Sequence, residues 1–352
     1  MMNTNIIQDI NIGGRLVGQN HKPFIIAEMS GNHNQSLERA LAIVDAAADA
    51  GADAIKLQTY TADTMTLPGA FTIQDEDSLW KGRELYDLYQ EAYTPWDWHK
   101  AIFERARECG LIAFSSPFDE TAVDFLEELG AQVYKIASFE NTDHPLLKKV
   151  AATGKPVIMS TGAATIAELD EAVRILRNAG STELILLKCT STYPSSPENT
   201  NIRTIPHMLE LFKVQVGLSD HTMGVGAAVA AVALGATVVE KHFTLSRAEG
   251  GVDSAFSLEP HELQSLVVES ERAWQALGYV QYGVQRAEEK SRLFKRSVYA
   301  AQDIKAGDTF SKKNISVIRP GLGLAPKHFE ELLGKIAPKD IQAGTPLNWN
   351  LV

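Results

Sequence analysis

Apolar residues in this chain gather in runs of six or seven, and between the runs they recur every three to four positions. The runs are FIIAEM (24–29), DAIKLQT (53–59), LIAFSS (111–116), VYKIAS (133–138), PVIMST (156–161), ELILLKC (183–189), VQVGLS (214–219) and TVVEKHF (237–243). Short apolar runs rich in β-branched residues read as buried strands. The intervening segments carry the helical period. SLERALAIVDAAADAGA begins on Ser36, and TIAELDEAVRILRNAG begins on Thr165 and stops at Gly180. Both openings are hydroxyl side chains suited to cap the free N–H groups of a helix. VGAAVAAVALGA repeats the pattern. Alternating strand and helix predicts a parallel sheet in an α/β fold. Eight such units predict a closed (β/α)8 TIM barrel. A doubly wound open sheet is the alternative, and the count of eight favours closure.

The alternation is interrupted twice. Residues 60–98 are long for a strand-to-helix connection and concentrate Trp80, Tyr86, Tyr89, Tyr93, Trp96 and Trp98. A loop of that length either serves function or packs a small core of its own. After a helix expected to end near Gly283, VQRAEEKSRLFKR (284–296) reads as a charged linker. From Ser297 the pattern changes again. DIKAGDTF (303–310) and DIQAGTPL (340–347) repeat 37 residues apart around VIRPGLGLAP. Glycine-rich turns of this kind predict a compact β-rich module. The expected division is a barrel over 1–283, a linker over 284–296 and the module over 297–352.

The 352 residues, 45% of them hydrophobic, suffice for one large core with a small appended module. A formal net charge of −11 argues against nucleic acid, whose phosphates need a basic face. No run of apolar residues is long enough to cross a membrane. MMNTNIIQDINIGG lacks a charged leader followed by an apolar stretch, so no signal peptide is expected and the cytoplasm is the expected compartment. Cys109 and Cys189 form no CxxC pattern and read as reduced thiols of such a protein.

Within this acidic chain Lys56, Lys135, Lys188 and Lys241 each sit in or at the end of an apolar run. Lysines are rarely buried unless paired, so four of them imply a cationic pocket for an anionic ligand. Residues i and i+2 of a strand share a face. Lys56 therefore points with Gln58, Lys135 with Ala137, Lys188 with Thr190, and Glu240 with His242. Lys241 falls opposite His242 unless the strand ends before it. Barrel enzymes build their sites at the C-terminal strand ends. Glu28, Gln58, Ser115, Ser116, Ser138, Ser160, Thr161, Ser191, Ser219, His221 and His242 all fall there. One serine at a strand end is commonly a turn or cap. Hydroxyls at five of these ends, beside lysines, suit a phosphate or carboxylate. His221 follows the seventh strand and His242 ends the eighth, and neighbouring strands lie about 4.8 Å apart. Both imidazoles can then reach one divalent cation, with positions left for water and a substrate oxygen. A lone histidine is more commonly structural. Gly224-Val-Gly226 lacks the third glycine of a dinucleotide fingerprint and reads as packing, and no GxxxxGK[ST] loop occurs.

In order along the chain, AEMSGNHN, IKLQT, SSPFD, YKIAS, MSTG, CTSTYP, GLSDHT and EKHFT resemble the sialic acid synthase family. The tail from Ser297 looks like the antifreeze-like (SAF) domain which that family carries. The resemblance implies a transferase that condenses phosphoenolpyruvate with an acylated amino-hexose to give a nonulosonic acid and phosphate. It implies that His221 and His242 bind Mn2+ or Mg2+. Lys56, Ser116, Lys135, Ser138, Ser160, Ser191 and Ser219 would hold the phosphate and carboxylate of phosphoenolpyruvate, with Gln58 beside Lys56. Glu28 would act as base or proton relay, and Asp253 (in GGVDSAFS) and Tyr193 would contact the sugar. Arg319, in VIRPG, would reach the site from the tail of a second subunit, which implies a domain-swapped homodimer. Two positions depart from the sialate pattern. Ser116 stands where threonine is usual and keeps the hydroxyl. Ser191 stands where asparagine is usual, which leaves its contact open.

AEMSGNHN occupies the place of a form like AEIGVNHNG in sialate synthases. It resembles the branch that takes 2,4-diacetamido-2,4,6-trideoxy-L-altrose. N-acetylmannosamine and a legionaminate precursor are the alternatives of the same chemistry. Two readings of other classes stand beside these. A metal-dependent aldolase using pyruvate would release no phosphate, and a non-catalytic sugar-binding module would need neither metal nor Lys56.

Overall fold

Each of the eight apolar runs forms a strand, and the eight close into one parallel barrel. A computed structural model describes residues 7–76 and 78–352. The part of the leader reading that rests on residues 1–6 lies outside them. A short antiparallel hairpin, β1 (Ile10–Ile12) and β2 (Arg15–Val17), comes first. The barrel strands are β3 (Phe24–Glu28), β4 (Ala54–Thr59), β5 (Ile112–Pro117) and β6 (Tyr134–Ile136). They continue with β7 (Val157–Ser160), β8 (Leu184–Cys189), β9 (Gln215–Ser219) and β10 (Val238–His242). Strands neighbour one another in sequence order, and β10 pairs with β3 to close the ring, His242 opposite Glu28. Closure rules out the doubly wound sheet.

Strand parity divides the core in two. Inward-facing Phe24, Ile26, Phe114, Ile158, Ile185 and Leu187 fill the lower barrel, with Ile10, Ile12 and Val17 of the hairpin packed against them. Outward-facing Ile25, Leu57, Ile136, Met159, Leu186 and Val239 pack under the surrounding helices. Burying each such side chain contributes about 1.5–3 kcal/mol. The helices begin where their caps predict. Ser36 Oγ accepts from Arg39 N, and Thr165 Oγ1 accepts from Glu168 N while the Glu168 carboxylate takes the Thr165 N–H. Because the lower interior is apolar and closed, inward positions one step further along each strand open only to the C-terminal mouth.

The chain divides after Gly278 into two compact units. The helix expected to run to Gly283 ends at Leu277, where Gly278 takes φ +50°, a conformation that stops an α-helix. Residues 284–296 are the segment expected as a charged linker. They form turns at Arg286–Glu288 and Lys290–Phe294, and the Glu288 carboxylate caps Gln285 N at 3.0 Å. In the second unit β11 (Ser297–Ala300) pairs antiparallel with β12 (Ile315–Ile318). The sequence repeat is a structural one. Ile304 and Ile341 exchange both backbone hydrogen bonds at 2.8 Å. Asp340 accepts from Ala306 N and Asp303 accepts from Ala343 N, each at 2.8 Å. The two copies thus clasp each other reciprocally over a core that includes Val298, Phe310, Ile315 and Leu347.

Candidate active site

Above the apolar plug the inward positions of the barrel are charged or hydroxylated, and almost all are buried. Lys56 Nζ lies 2.7 Å from Glu28 Oε2, 3.8 Å from Glu240 Oε2 and 3.4 Å from Ser116 Oγ. Lys135 Nζ lies 3.3 Å from Glu240 Oε1 and donates to Ser160 Oγ at 2.7 Å. Ser219 Oγ donates to the same Glu240 oxygen at 2.9 Å. Two lysines and two carboxylates are therefore taken out of water together, which is tolerable only because they are mutually paired.

The two carboxylates differ in character. Burial, reinforced by repulsion from Glu240, raises the Glu28 carboxyl above its ordinary range against the pull of Lys56. Burial also disfavours the Glu240 anion, but Lys135 and Lys56 outweigh it and its carboxyl is lowered. Two carboxyls pushed apart in this way are an ionised counter-charge and a group able to exchange a proton.

A second wall is built from hydroxyls and one glycine. Ser138 Oγ accepts from Gly162 N at 3.2 Å. A Cβ on Gly162 would lie 2.1 Å from Ser191 Oγ and 2.6 Å from Ser138 Oγ. Only glycine lets the backbone of the MSTG turn approach both hydroxyls, which brings Ser138 and Ser191 to one spot.

His221 and His242 face each other with ring centroids 5.3 Å apart, beside Tyr193 and Phe256. His221 Nδ1 donates to the Thr190 carbonyl at 2.9 Å, which leaves Nε2 directed elsewhere. Despite burial, His221 is raised by Cys189 and the Thr190 carbonyl. Burial, together with His221 and the nearby lysines, holds His242 well below its ordinary value, and its buried Nδ1 has no hydrogen-bond partner. This donor set fits a divalent cation that keeps open positions. Among the described residues no group of three or more His, Cys, Asp or Glu side chains is placed to hold a metal ion, so the two histidines alone would be the protein's ligands.

Asp253 lies beside this pair, Oδ2 3.9 Å from His242 Nδ1. With Gln58, Tyr193 and His242 it lines a cavity of about 730 Å³ at the barrel mouth. The opposite wall comes from the 60–98 excursion through Phe71, Ile73, Trp80 and Tyr89. Trp80 Nε1 donates to the Val252 carbonyl at 3.1 Å, fastening that wall to the Asp253 loop. The excursion thus both packs and lines the site.

Of the four lysines, two build the pocket. Lys188 and Lys241 have the opposite strand parity and point outward. Lys188 Nζ donates to Cys189 O at 2.8 Å and Thr190 Oγ1 at 3.0 Å. Lys241 Nζ is bound by Asp220 Oδ2 at 2.8 Å, Thr222 O at 2.6 Å and Gly224 O at 2.9 Å, so it clamps the loop that carries His221. Arg319 is an exposed residue of the second unit, directly after β12. Three site residues escaped sequence reasoning as functional groups. Glu240 was placed by parity, yet nothing local marked it as the counter-charge to two lysines. Glu140 lines the cavity with a buried, unpartnered Oε2, and burial raises its carboxyl to about 7. Ser30 meets Asp253 across 223 positions of chain, a pairing no local pattern signals.

Residues 43–282 match the NeuB family and residues 295–352 match the SAF domain. The chain belongs to the NeuB family, the sialic acid synthase family, with a C-terminal SAF domain. It is 47% identical over 93% of its length to a pseudaminic acid synthase of Campylobacter jejuni, 95% of which is covered. It is 43% identical over 93% of its length to a pseudaminic acid synthase of Helicobacter pylori, 96% of which is covered. The crystal structure of an N-acetylneuraminic acid synthetase from Leptospira borgpetersenii in complex with citrate superposes with a TM-score of 0.73 at 34% identity. That match covers 81% of this chain and 95% of the other.

Proposed function

We propose that this protein condenses phosphoenolpyruvate with 2,4-diacetamido-2,4,6-trideoxy-L-altrose to give pseudaminic acid and phosphate. The observation that carries the reading is the buried set Lys56, Lys135, Ser116, Ser160 and Ser219 around Glu240, opening onto a sugar-sized cavity. Its cations and hydroxyls suit a small dianion with two anionic groups, and preorganised donors of this kind stabilise charge without reorganising. Similarity at 47% and 43% to two pseudaminic acid synthases supports the altrose-derived sugar.

In this reading Lys56, Lys135 and the hydroxyls of Ser116, Ser138, Ser160, Ser191 and Ser219 hold the phosphate and carboxylate. Asp253 and Tyr193 orient the open-chain sugar so that its aldehyde carbon meets C3 of phosphoenolpyruvate. His221 and His242 would hold Mn2+ or Mg2+, which supplies Lewis-acid polarisation of the aldehyde oxygen. Water adds at C2 and Glu28, through its raised carboxyl, passes the proton on. Phosphate then leaves with cleavage of the C2–O bond. Arg319 of the partner subunit completes the sugar site in a domain-swapped homodimer, a proposal resting on the VIRPG resemblance. The unpaired thiols Cys109 and Cys189 agree with a reducing cytoplasm. Turnover in ¹⁸O-labelled water tests the chemistry. The label is expected in the sugar acid with the phosphate unlabelled, and labelled phosphate would refute C–O cleavage.

A further inference from the structure

Ser30 is the one site residue whose backbone is held where L side chains rarely go. It is buried, it lines the mouth cavity, and its φ is +46°. For a residue other than glycine such a conformation is unfavourable and persists only where the surroundings enforce it. The enforced geometry aims the hydroxyl. Ser30 Oγ donates to Asp253 Oδ2 and accepts from Gln58 Nε2 at 3.2 Å. Gln58 Nε2 gives its other proton to Glu28 Oε1 at 2.8 Å. One amide and one hydroxyl thus link the two functional carboxylates in a single directed chain, Glu28 from Gln58 and Asp253 from Ser30. Each bond uses a different proton, so the orientation of every member is fixed by its neighbours.

We propose that Ser30 is a positioning residue for sugar recognition, acting through Asp253. Its hydroxyl occupies one carboxylate oxygen of Asp253 and so turns the other toward a donor on the sugar, a hydroxyl or an amide N–H. The inference rests on the proposed role of Asp253 as a sugar contact. It predicts a specific split in the kinetics. Losing the hydroxyl removes the side-chain bond that orients Asp253, which weakens hexosamine binding more than it disturbs Glu28 and the lysine pocket, to which Ser30 is linked only through Gln58.

Two variants separate the hydroxyl from the backbone. Ser30→Gly removes the hydroxyl and also the conformational strain, because glycine adopts positive φ without cost. Ser30→Ala removes the hydroxyl and keeps the strain. Both are expected to raise KM for the hexosamine about ten-fold, the order lost with one hydrogen bond to a charged group. KM for phosphoenolpyruvate should move less than about two-fold in both, because Lys56 and Lys135 keep their own ion pairs with Glu28 and Glu240. Ser30→Gly should melt at or above the wild-type temperature. In an Asp253→Asn background, Ser30→Ala should add little further loss, since both act through one contact. Unchanged hexosamine KM in both serine variants, with Asp253→Asn impaired, would overturn the inference. If Asp253→Asn itself keeps normal hexosamine KM, the sugar-contact reading fails instead. A fall in melting temperature of Ser30→Gly with both KM values intact would make Ser30 a purely structural residue.

Discussion

Lys56 Nζ stands 2.7 Å from Glu28 Oε2 in a site closed to water below and open only at the barrel mouth. The same ammonium reaches toward Glu240, which also takes Lys135. Burial and the Glu240 charge raise Glu28, while the two lysines lower Glu240. In the proposed mechanism Glu240 would be the standing anion of the site and Glu28 the group that gains and loses a proton.

A pH profile tests that division. A base whose pKa is raised is protonated, and inactive, up to a higher pH. The acid limb of kcat/KM should therefore have its midpoint above the ordinary glutamate value of about 4.3. Glu28→Gln should lower kcat by about 10²–10⁴-fold, the usual contribution of a positioned acid–base group. A limb at or below the ordinary value, or near-normal kcat in the variant, would remove Glu28 from the proton path.

Glu240→Gln should act mainly on stability. It leaves two buried lysines sharing the single carboxylate of Glu28. Breaking a buried pair by removing one partner costs about 3–5 kcal/mol. Chemical denaturation of the variant without ligand should show a loss of that order, and a change below about 1 kcal/mol, the worth of an exposed pair, would mean the charges are solvated.

The outward and inward lysines should differ in kind. Lys135→Met should lower kcat/KM by an amount equivalent to about 2–4 kcal/mol, as when one transition-state donor is removed. Lys241→Met should lower the melting temperature, because it leaves the buried Asp220 carboxylate without its cation. Its KM for phosphoenolpyruvate should stay near wild type. Normal kinetics for Lys135→Met would show that the anion pocket lies elsewhere.

Removal of divalent cations should abolish turnover, with recovery on adding Mn2+ or Mg2+. His242→Ala should be inactive yet folded, since its ring lies at a strand end beside the cavity and packs little core. Isothermal titration of Mn2+ should show binding to the wild type and none to the variant. Full turnover in EDTA would refute metal dependence.

Arg319→Ala and His221→Ala should each be inactive alone. Mixed under conditions that exchange subunits, they should recover about a quarter of the sites, because random pairing in an isologous dimer makes one intact site in each heterodimer. No recovery, with exchange confirmed by native mass spectrometry, would place Arg319 in the same subunit's site or outside it.

Much of the barrel was legible because parity and burial are local rules. The eight strands fell where apolar runs predicted, and Ser36 and Thr165 capped helices as hydroxyls do. Parity also placed Lys56, Gln58, Glu240 and His242 on the inner face. What parity says of Lys241, that it faces away from His242, was legible too, and it outweighs the simpler idea that every buried lysine joins one pocket. The tail repeat was visible, but the cross-clasp of Asp303 and Asp340 was not, since it depends on the two copies meeting face to face. Residues 284–296 read as a linker because charge dominates the segment, and the turn that Glu288 caps within it was not legible. The link from Ser30 to Asp253 joins opposite ends of the barrel sequence, and only closure of β10 onto β3 brings them together.

The central claim is that phosphoenolpyruvate is condensed with the altrose-derived sugar rather than with N-acetylmannosamine. Steady-state phosphate release, measured with each sugar at saturating phosphoenolpyruvate and with equimolar loss of phosphoenolpyruvate verified, tests it most directly. A site built to pair a polar group discriminates strongly against a sugar that lacks it, by as much as about 10⁴-fold. The account predicts phosphate release with 2,4-diacetamido-2,4,6-trideoxy-L-altrose and a kcat/KM for N-acetylmannosamine lower by several orders of magnitude. Comparable kcat/KM for the two sugars, or no phosphate with either, would contradict it.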